Sequence, residues 1–455
     1  MKNFEIMPTE ENLITTIEED ILGRNKELIY FYELLLAQSM GKIIAIDGRW
    51  GSGKTFFVKQ SILMINAMNP RSDMEKEKKD KILNSIGAEE NENADLAIYY
   101  DAWKNDNDID PIMSLIYEIS MQIGTTYMLE HDIKKNIFET AAAIIECVSG
   151  RNVKGIINSL IDDNPLLKFQ EQKELDEKIK IFLTGILAER GNRLIIFIDE
   201  LDRCKPSFAV HLLEQIKHYL YDERIIFVLS VNQEELQYTI KHFYGNEFDA
   251  SRYLDRFFDL KITLSPADKK KFYNKLELNE DDFLKKIMQQ FINNHNMELR
   301  EVIHFCVDVR AAVYKPIYDN VNFDFSFYDG NARKFMLMCV VPIVIGLRMI
   351  DISAYNKFIE GENPKPMVNI LSVEEFVDWI ISRLLKENES LEKEEGKIQV
   401  TVEEKIIDIY NAIFVNKYCG KEYQKTIGKY TFDANAKNFV LSAASMLSRY
   451  ADYNI

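Results

Sequence analysis

Eight consecutive residues, Gly48-Arg49-Trp50-Gly51-Ser52-Gly53-Lys54-Thr55, carry the densest chemical signal in the chain. They fit the spacing of a glycine, four residues, then Gly-Lys-Ser/Thr. Gly48, Gly51 and Gly53 let the backbone fold into a concave nest of N–H groups that suits phosphate oxygens. A helix starting near Lys54 aims its positive dipole end at the same charge. In such a nest the lysine reaches the β- and γ-phosphates of a nucleotide such as ATP, and the Thr55 hydroxyl ligates Mg2+. Trp50 either packs against the loop or flanks a nucleotide, and packing is the simpler reading.

A second signal is acidic. The apolar run LIIFI (residues 194–198) is followed by Asp199, Glu200 and, two residues on, Asp202. A buried strand that ends in a carboxylate places that charge at the carboxyl edge of a parallel sheet. There Asp199 is expected to hold Mg2+, directly or through water, and Glu200 to polarise an attacking water. Asp202 serves equally well as a cap for the following turn or as a catalytic group. The run IIFVL ends in Ser230-Val231-Asn232. Asn232 either senses a γ-phosphate or caps the helix QEELQYTI that follows. Arg252 and Arg256, in SRYLDRFF, are candidates for a finger that stabilises transition-state charge, with ordinary surface pairing as the simpler reading for each. His211 and His218 sit two helical turns apart, about 10.5 Å along the axis, too far to share one metal ion easily.

These groups need a scaffold. Strand-length apolar runs at residues 42–47, 96–100, 194–198 and 224–229 alternate with helical patterns. That alternation predicts an α/β fold with a parallel sheet flanked by helices on both faces. From about residue 266 onward helical patterns take over. Residues 74–95 are rich in charge and read as a solvated loop or frayed helix. Residues 125–175 read as a mostly helical insertion, and 386–397 as an exposed linker. No internal repeat is visible.

Of the 455 residues, 47% are hydrophobic and 28% charged, a globular composition that excludes a fully disordered chain. The 56 Lys and Arg against 73 Asp and Glu give a net charge of −17. That balance disfavours nucleic acid binding over the whole surface, leaving only local clusters such as Lys269, Lys270 and Lys271. Five cysteines without a CxxC pair read as free thiols of a reducing cytosol. The N-terminus has no continuous apolar run, so no signal peptide is expected. The run FMLMCVVPIVIGL (residues 335–347) contains Pro342 and falls short of the roughly 20 residues a membrane span needs. It reads as a core helix.

The motifs taken together resemble the KAP family of P-loop NTPases. GRWGSGKTFF resembles the family's phosphate loop, its tryptophan included. YYDAWKNDNDIDP resembles an Asn-Ala-Trp segment, with Asp101 where asparagine is usual. IFIDELDRCKP resembles its long acidic strand motif, and YLDRFFDLKITLS the segment after the sensor strand. ILGRNKELIYF and MELREVIHF resemble the segment ahead of the loop and a piece of the helical region. The resemblance covers residues 20 to about 345. It implies a P-loop NTPase core over 1–265 and a helical lid over 266–350; the mostly helical region over 351–455 lies outside the resemblance and reads from its pattern as a partner-docking module or a helical cap. The resemblance also implies nucleotide contacts at Phe56, Arg24 and a sensor-like Arg300.

The resulting expectation is a cytoplasmic, Mg2+-dependent ATPase that works as a nucleotide-driven switch or assembly ATPase. It would act with a protein partner or as a homo-oligomer, and by resemblance in bacterial phage defence or signalling. The alternatives are a nucleic-acid-stimulated motor and a non-catalytic nucleotide-binding scaffold.

Overall fold

The computed structural model describes residues 7–38, 42–90, 95–108, 110–126, 192–218, 222–276, 278, 283–313, 332–377, 382–393, 395–415 and 424–445, with parts of helices between 135 and 186. The insertion expected at 125–175 lies mostly outside the described residues. Contacts divide the chain into two units, Ile6–Phe272 and Tyr273–Ile455.

The first unit is built on five parallel strands: β1 (Lys42–Asp47), β2 (Leu96–Asp101), β3 (Leu194–Asp199), β4 (Ile225–Val231) and β5 (Leu260–Thr263). Their order in the sheet is β2-β3-β4-β1-β5. β3 and β4 are buried at every position, as continuous apolar strands covered on both faces must be. β5, at the other edge, alternates between exposed and half-buried residues.

Helices cover both faces. Ile44, Ile46, Ile195, Phe197, Ile226 and Val228 turn to one face, beneath α1 (Glu10–Glu18), α2 (Asn25–Leu36), α3 (Lys54–Met68) and α4 (Lys76–Ile86). Their neighbours Ile43, Ala45, Ile196, Ile198, Phe227 and Leu229 turn to the other, against α5 (Pro111–Thr126), α6 (Pro206–His218), α7 (Gln233–Tyr244) and α8 (Ala250–Asp255). The period of two along each strand thus fills two cores. β4 lies between β1 and β3, and the register pairs Asp47 with Val231 and Asp199 with Ser230. All the carboxyl ends therefore finish along one edge. The outer edge, β2, is closed by Gln122 of α5: its side-chain oxygen accepts from Tyr99 N–H at 2.9 Å and its nitrogen donates to Tyr99 C=O at 2.6 Å.

The charged stretch at 74–95 differs from its sequence reading. α4 is a helix with Ile82, Leu83 and Ile86 buried and Gly87 ending it at φ 71°. Three apolar residues at helical spacing suffice to seat one face, joined there by Lys79, whose buried ammonium donates to Asn69 C=O at 3.1 Å, while most of the other charged residues face outward.

In the second unit, Phe283–Asn294 and Leu299–Val313 pack their apolar faces together, with Phe291 stacked on Phe305 at 5.1 Å. The apolar run forms a buried helix that ends at Ile350 and contains a wide turn at Met336–Val340. Pro342, which lacks an N–H, sits just past that turn, where the regular ladder is already interrupted. No helix among the described residues is long and apolar enough to cross a membrane. A hairpin, Gln424–Ile427 with Tyr430–Asp433, adds β-structure to a region whose pattern read as helical.

Two expectations follow. A Cβ added at Gly346 would meet Phe291 Cε1 at 2.2 Å. Gly346→Ala should therefore cost about 1–3 kcal/mol through overpacking, read as a lower denaturant midpoint. Asp95 is 2% exposed, accepts from the Tyr32 hydroxyl at 2.9 Å, and has its pKa raised by burial. Its stabilising contribution is full below the unfolded carboxylate value and is lost as pH rises through the folded one. Asp95→Asn keeps an acceptor for Tyr32 and should raise the melting temperature at pH 7–8, the gain vanishing below about pH 3.9.

Candidate functional site

The loop that joins β1 to α3 takes the conformation its glycines allow. Gly51 and Gly53 have φ of 83° and 89°, in the left-handed region where an L side chain is strained. At Gly48 the reason is space, since a Cβ there would lie 2.9 Å from Ser52 Oγ. Gly48 N–H donates to Val231 C=O at 3.2 Å, holding the start of the loop to β4. α3 begins at Lys54 with no side-chain cap, so its first N–H groups are left for another acceptor. The Ser52 hydroxyl is buried without a hydrogen-bond partner among the described residues. It too is a donor suited to an anion in the nest.

Lys54 is only 8% exposed. Its ammonium donates to Gly48 C=O at 2.5 Å and to Arg49 C=O at 3.0 Å, lying across the loop. Burial lowers its pKa, and Asp202, Asp199, Glu200 and Asp47 oppose that shift. The hydrogen bonds from Thr55 to Glu200 and from Trp50 to Asp202 bring the acidic strand end to the loop.

Asp199, at the end of β3, is 1% exposed. Its Oδ1 accepts from Glu200 N–H at 3.0 Å and its Oδ2 from the Tyr99 hydroxyl at 3.3 Å. Burial raises its pKa, while the Ser230 and Thr55 hydroxyls, the Glu200 N–H and Lys54 pull it down. Glu200 stands at φ 63°, an unusual conformation for a residue with a side chain. Its carboxylate accepts from Thr55 Oγ1 at 3.4 Å and pairs with Arg203. Burial, with Asp199 adjacent, pushes its pKa up to about 7.

Thr55, Asp199 and Glu200 thus offer hard oxygen donors at one point, which fits Mg2+. Among the described residues no group of three or more His, Cys, Asp or Glu forms a metal cage by itself.

Asp202, 6% exposed, accepts from the Trp50 indole N–H at 2.6 Å. Trp50 is therefore neither a simple packing residue nor buried: it is 45% exposed and hydrogen-bonded to the acidic motif. Asn232 caps α7, its side chain accepting from Glu234 N–H at 3.2 Å. Arg24 is buried and donates to Ser52 C=O at 3.1 Å and Ser265 C=O at 2.5 Å, holding the phosphate loop to the chain that leaves β5. Arg252 is exposed beside Asp249 at 3.9 Å. Arg256 is exposed, with its carbonyl accepting from Lys217 at 2.7 Å. No described contact joins Arg252 or Arg256 to the loop. Phe56 is half-buried on α3, and Arg300 is exposed on its helix in the second unit.

Tyr99, Trp103 and Arg203 belong to the site without having been assigned a role from sequence. Tyr99 sits on β2, beside β3 in the sheet. Its hydroxyl becomes readable as an Asp199 partner only once that strand order is known. A cleft of about 480 Å3 opens on the far side of Tyr99, lined also by Lys59, Asn66 and Ser72, and by none of the loop residues 48–55.

A glycine-rich loop between a strand and a helix, faced by a buried acidic strand end across one intervening strand, defines a P-loop NTPase. The chain belongs to the KAP family: the KAP family P-loop domain matches residues 24–323. Comparison with curated proteins found no match. Among solved structures, the Walker-type ATPase paby2304 of Pyrococcus abyssi is similar at 11% identity, over 86% of this chain and 97% of that one, with a TM-score of 0.33.

Trp50→Phe removes the donor that satisfies a buried carboxylate. It should destabilise the fold by about 1–3 kcal/mol, seen as a lower urea midpoint at neutral pH.

Proposed function

We propose that the protein binds ATP with Mg2+ at residues 48–55 and hydrolyses it, using the cycle as a conformational switch. The observation that carries this reading is the convergence of Lys54 and Thr55 on one side with Asp199 and Glu200 on the other, at a single sheet edge. A binder alone needs the loop; a carboxylate directly after the metal-holding aspartate adds a base.

Each residue has a task. The loop amides and the Ser52 hydroxyl cradle phosphate oxygens. Lys54, already surrounded by carboxylates, exchanges its carbonyl partners for phosphate. Thr55 and Asp199 would hold Mg2+, which supplies charge neutralisation on the transferring phosphoryl group. Glu200 orients and deprotonates the attacking water. Catalysis on this account is mostly positioning and electrostatic stabilisation. Arg24 supports the loop from behind, and Asn232 serves as a cap. A finger role for Arg252 or Arg256 needs a second chain or a rearrangement to bring it to the phosphates. The partner or homo-oligomer, the cytoplasmic setting and a part in defence or signalling belong to the same reading by family resemblance.

Lys54→Ala should weaken ATP binding by about 100-fold, given two lost charge-assisted contacts. Glu200→Gln should bind ATP as the wild type does while kcat falls by about 100- to 10,000-fold. Equilibrium binding and phosphate release on purified protein measure both. Wild-type turnover in Glu200→Gln would remove that residue from its role.

A further inference from the structure

The two oxygens of Glu200 face different neighbours. Oε1 accepts from the Thr55 hydroxyl at 3.4 Å, on the phosphate-loop side. Oε2 is held by Arg203 Nε at 2.5 Å, with the two side chains 22% and 16% exposed. Exposed pairs of this kind contribute little, but this one is short and largely shielded from water.

Arg203 is itself gripped. Its guanidinium lies 5.7 Å from the Trp50 ring and 5.6 Å from the Trp103 ring. The indoles come from separate segments, Trp50 from the phosphate loop and Trp103 from the turn that follows β2. Each is anchored. Trp50 donates to Asp202 at 2.6 Å. The Trp103 turn is tied to the acidic motif through Ala102 N–H to Asp199 C=O at 3.0 Å and Lys205 N–H to Asp106 at 3.2 Å. Both tryptophans are about half exposed, 45% and 53%, so burial of apolar surface does not account for their placement. Both meet the same guanidinium in cation–π contact, Trp50 in addition to its hydrogen bond to Asp202.

We propose that Arg203 is a positioning residue for Glu200. By holding Oε2 it leaves Oε1 as the basic oxygen on the phosphate-loop side, and Trp50 and Trp103 fix Arg203 so that the carboxylate's aim follows the loop's own conformation. A base oriented by a third group is a recurrent arrangement in activated sites. The proposal rests on the hydrolysis reading above.

The test uses the full chain and three variants, Arg203→Met, Arg203→Lys and Trp103→Ala. Each is measured for kcat, KM and equilibrium binding of a fluorescent ATP analogue with Mg2+, with a thermal melt to establish folding. Arg203→Met should lower kcat about tenfold or more while the analogue's Kd stays within about twofold, the signature of lost transition-state organisation. Arg203→Lys keeps the charge but not the planar fork, so it should recover part of the rate. Trp103→Ala should lower kcat about three- to fivefold in the same direction; it carries the test if Arg203→Met does not fold. Weakened analogue binding at unchanged kcat would make Arg203 a phosphate ligand and overturn the proposal. Wild-type rates in both Arg203→Met and Trp103→Ala would overturn it as well. In either case an active wild type leaves the hydrolysis reading standing, whereas a wild type without turnover removes both.

Discussion

Asp199, Glu200 and Asp202 bring three carboxylates into a space that also holds the Lys54 ammonium and little water. At an effective dielectric near 20, unit charges 4 Å apart interact by about 4 kcal/mol. Lys54 and the Arg203 guanidinium paired with Glu200 supply two positive charges against those three acids. The structure answers in part with neutral donors: the hydroxyls of Thr55 and Tyr99 and the indole of Trp50 each turn toward one of the acids. On the proposed function, a divalent cation at the carboxylates would make up the remainder, with phosphates facing Lys54 and the loop amides instead. The site's chemistry follows from that imbalance.

The imbalance exists only because the sheet imposes it. β1 and β3 carry the two halves of the site and are not neighbours; β4 separates them. Parallel pairing through β4 brings Asp47, Val231 and Asp199 to one edge. The loop is then fixed from three directions: Gly48 to Val231, Arg24 to Ser52, and Trp50 to Asp202. Asp47 accepts from Gln233 N–H at 2.9 Å, which ties the end of β1 to the start of α7. A loop held at both ends and at its middle tryptophan can present its amides with little further ordering.

Much of this was legible in the chain. The glycine spacing identifies the nest because only glycine accepts φ near 85° there, and continuous runs such as LIIFID announce strands buried on both faces. What could not be read depends on distance across the fold. Trp50 meets Asp202 across 152 residues and Tyr99 meets Asp199 across 100, and neither pairing has a local signature. The residues at 74–95 misled because a helix that buries one narrow stripe needs only a few apolar positions. The hairpin at 424–433 was missed because its strands are four residues each, although Gly428 at φ 54° opens the two-residue turn between them. Asn232 fitted two roles by position, and the capping one is visible in its side-chain bond to Glu234 N–H.

Gln122 imitates a peptide bond. Its side-chain amide presents one donor and one acceptor to Tyr99, as another strand's main chain would. At that position the margin of the sheet is already complementary to itself and has no unmet groups to offer a passing chain. Further growth in that direction, whether by a sixth strand or by edge-to-edge stacking of molecules, must first pry away a glutamine rooted in α5. Among the described residues, the helix that fills one core therefore also ends the sheet.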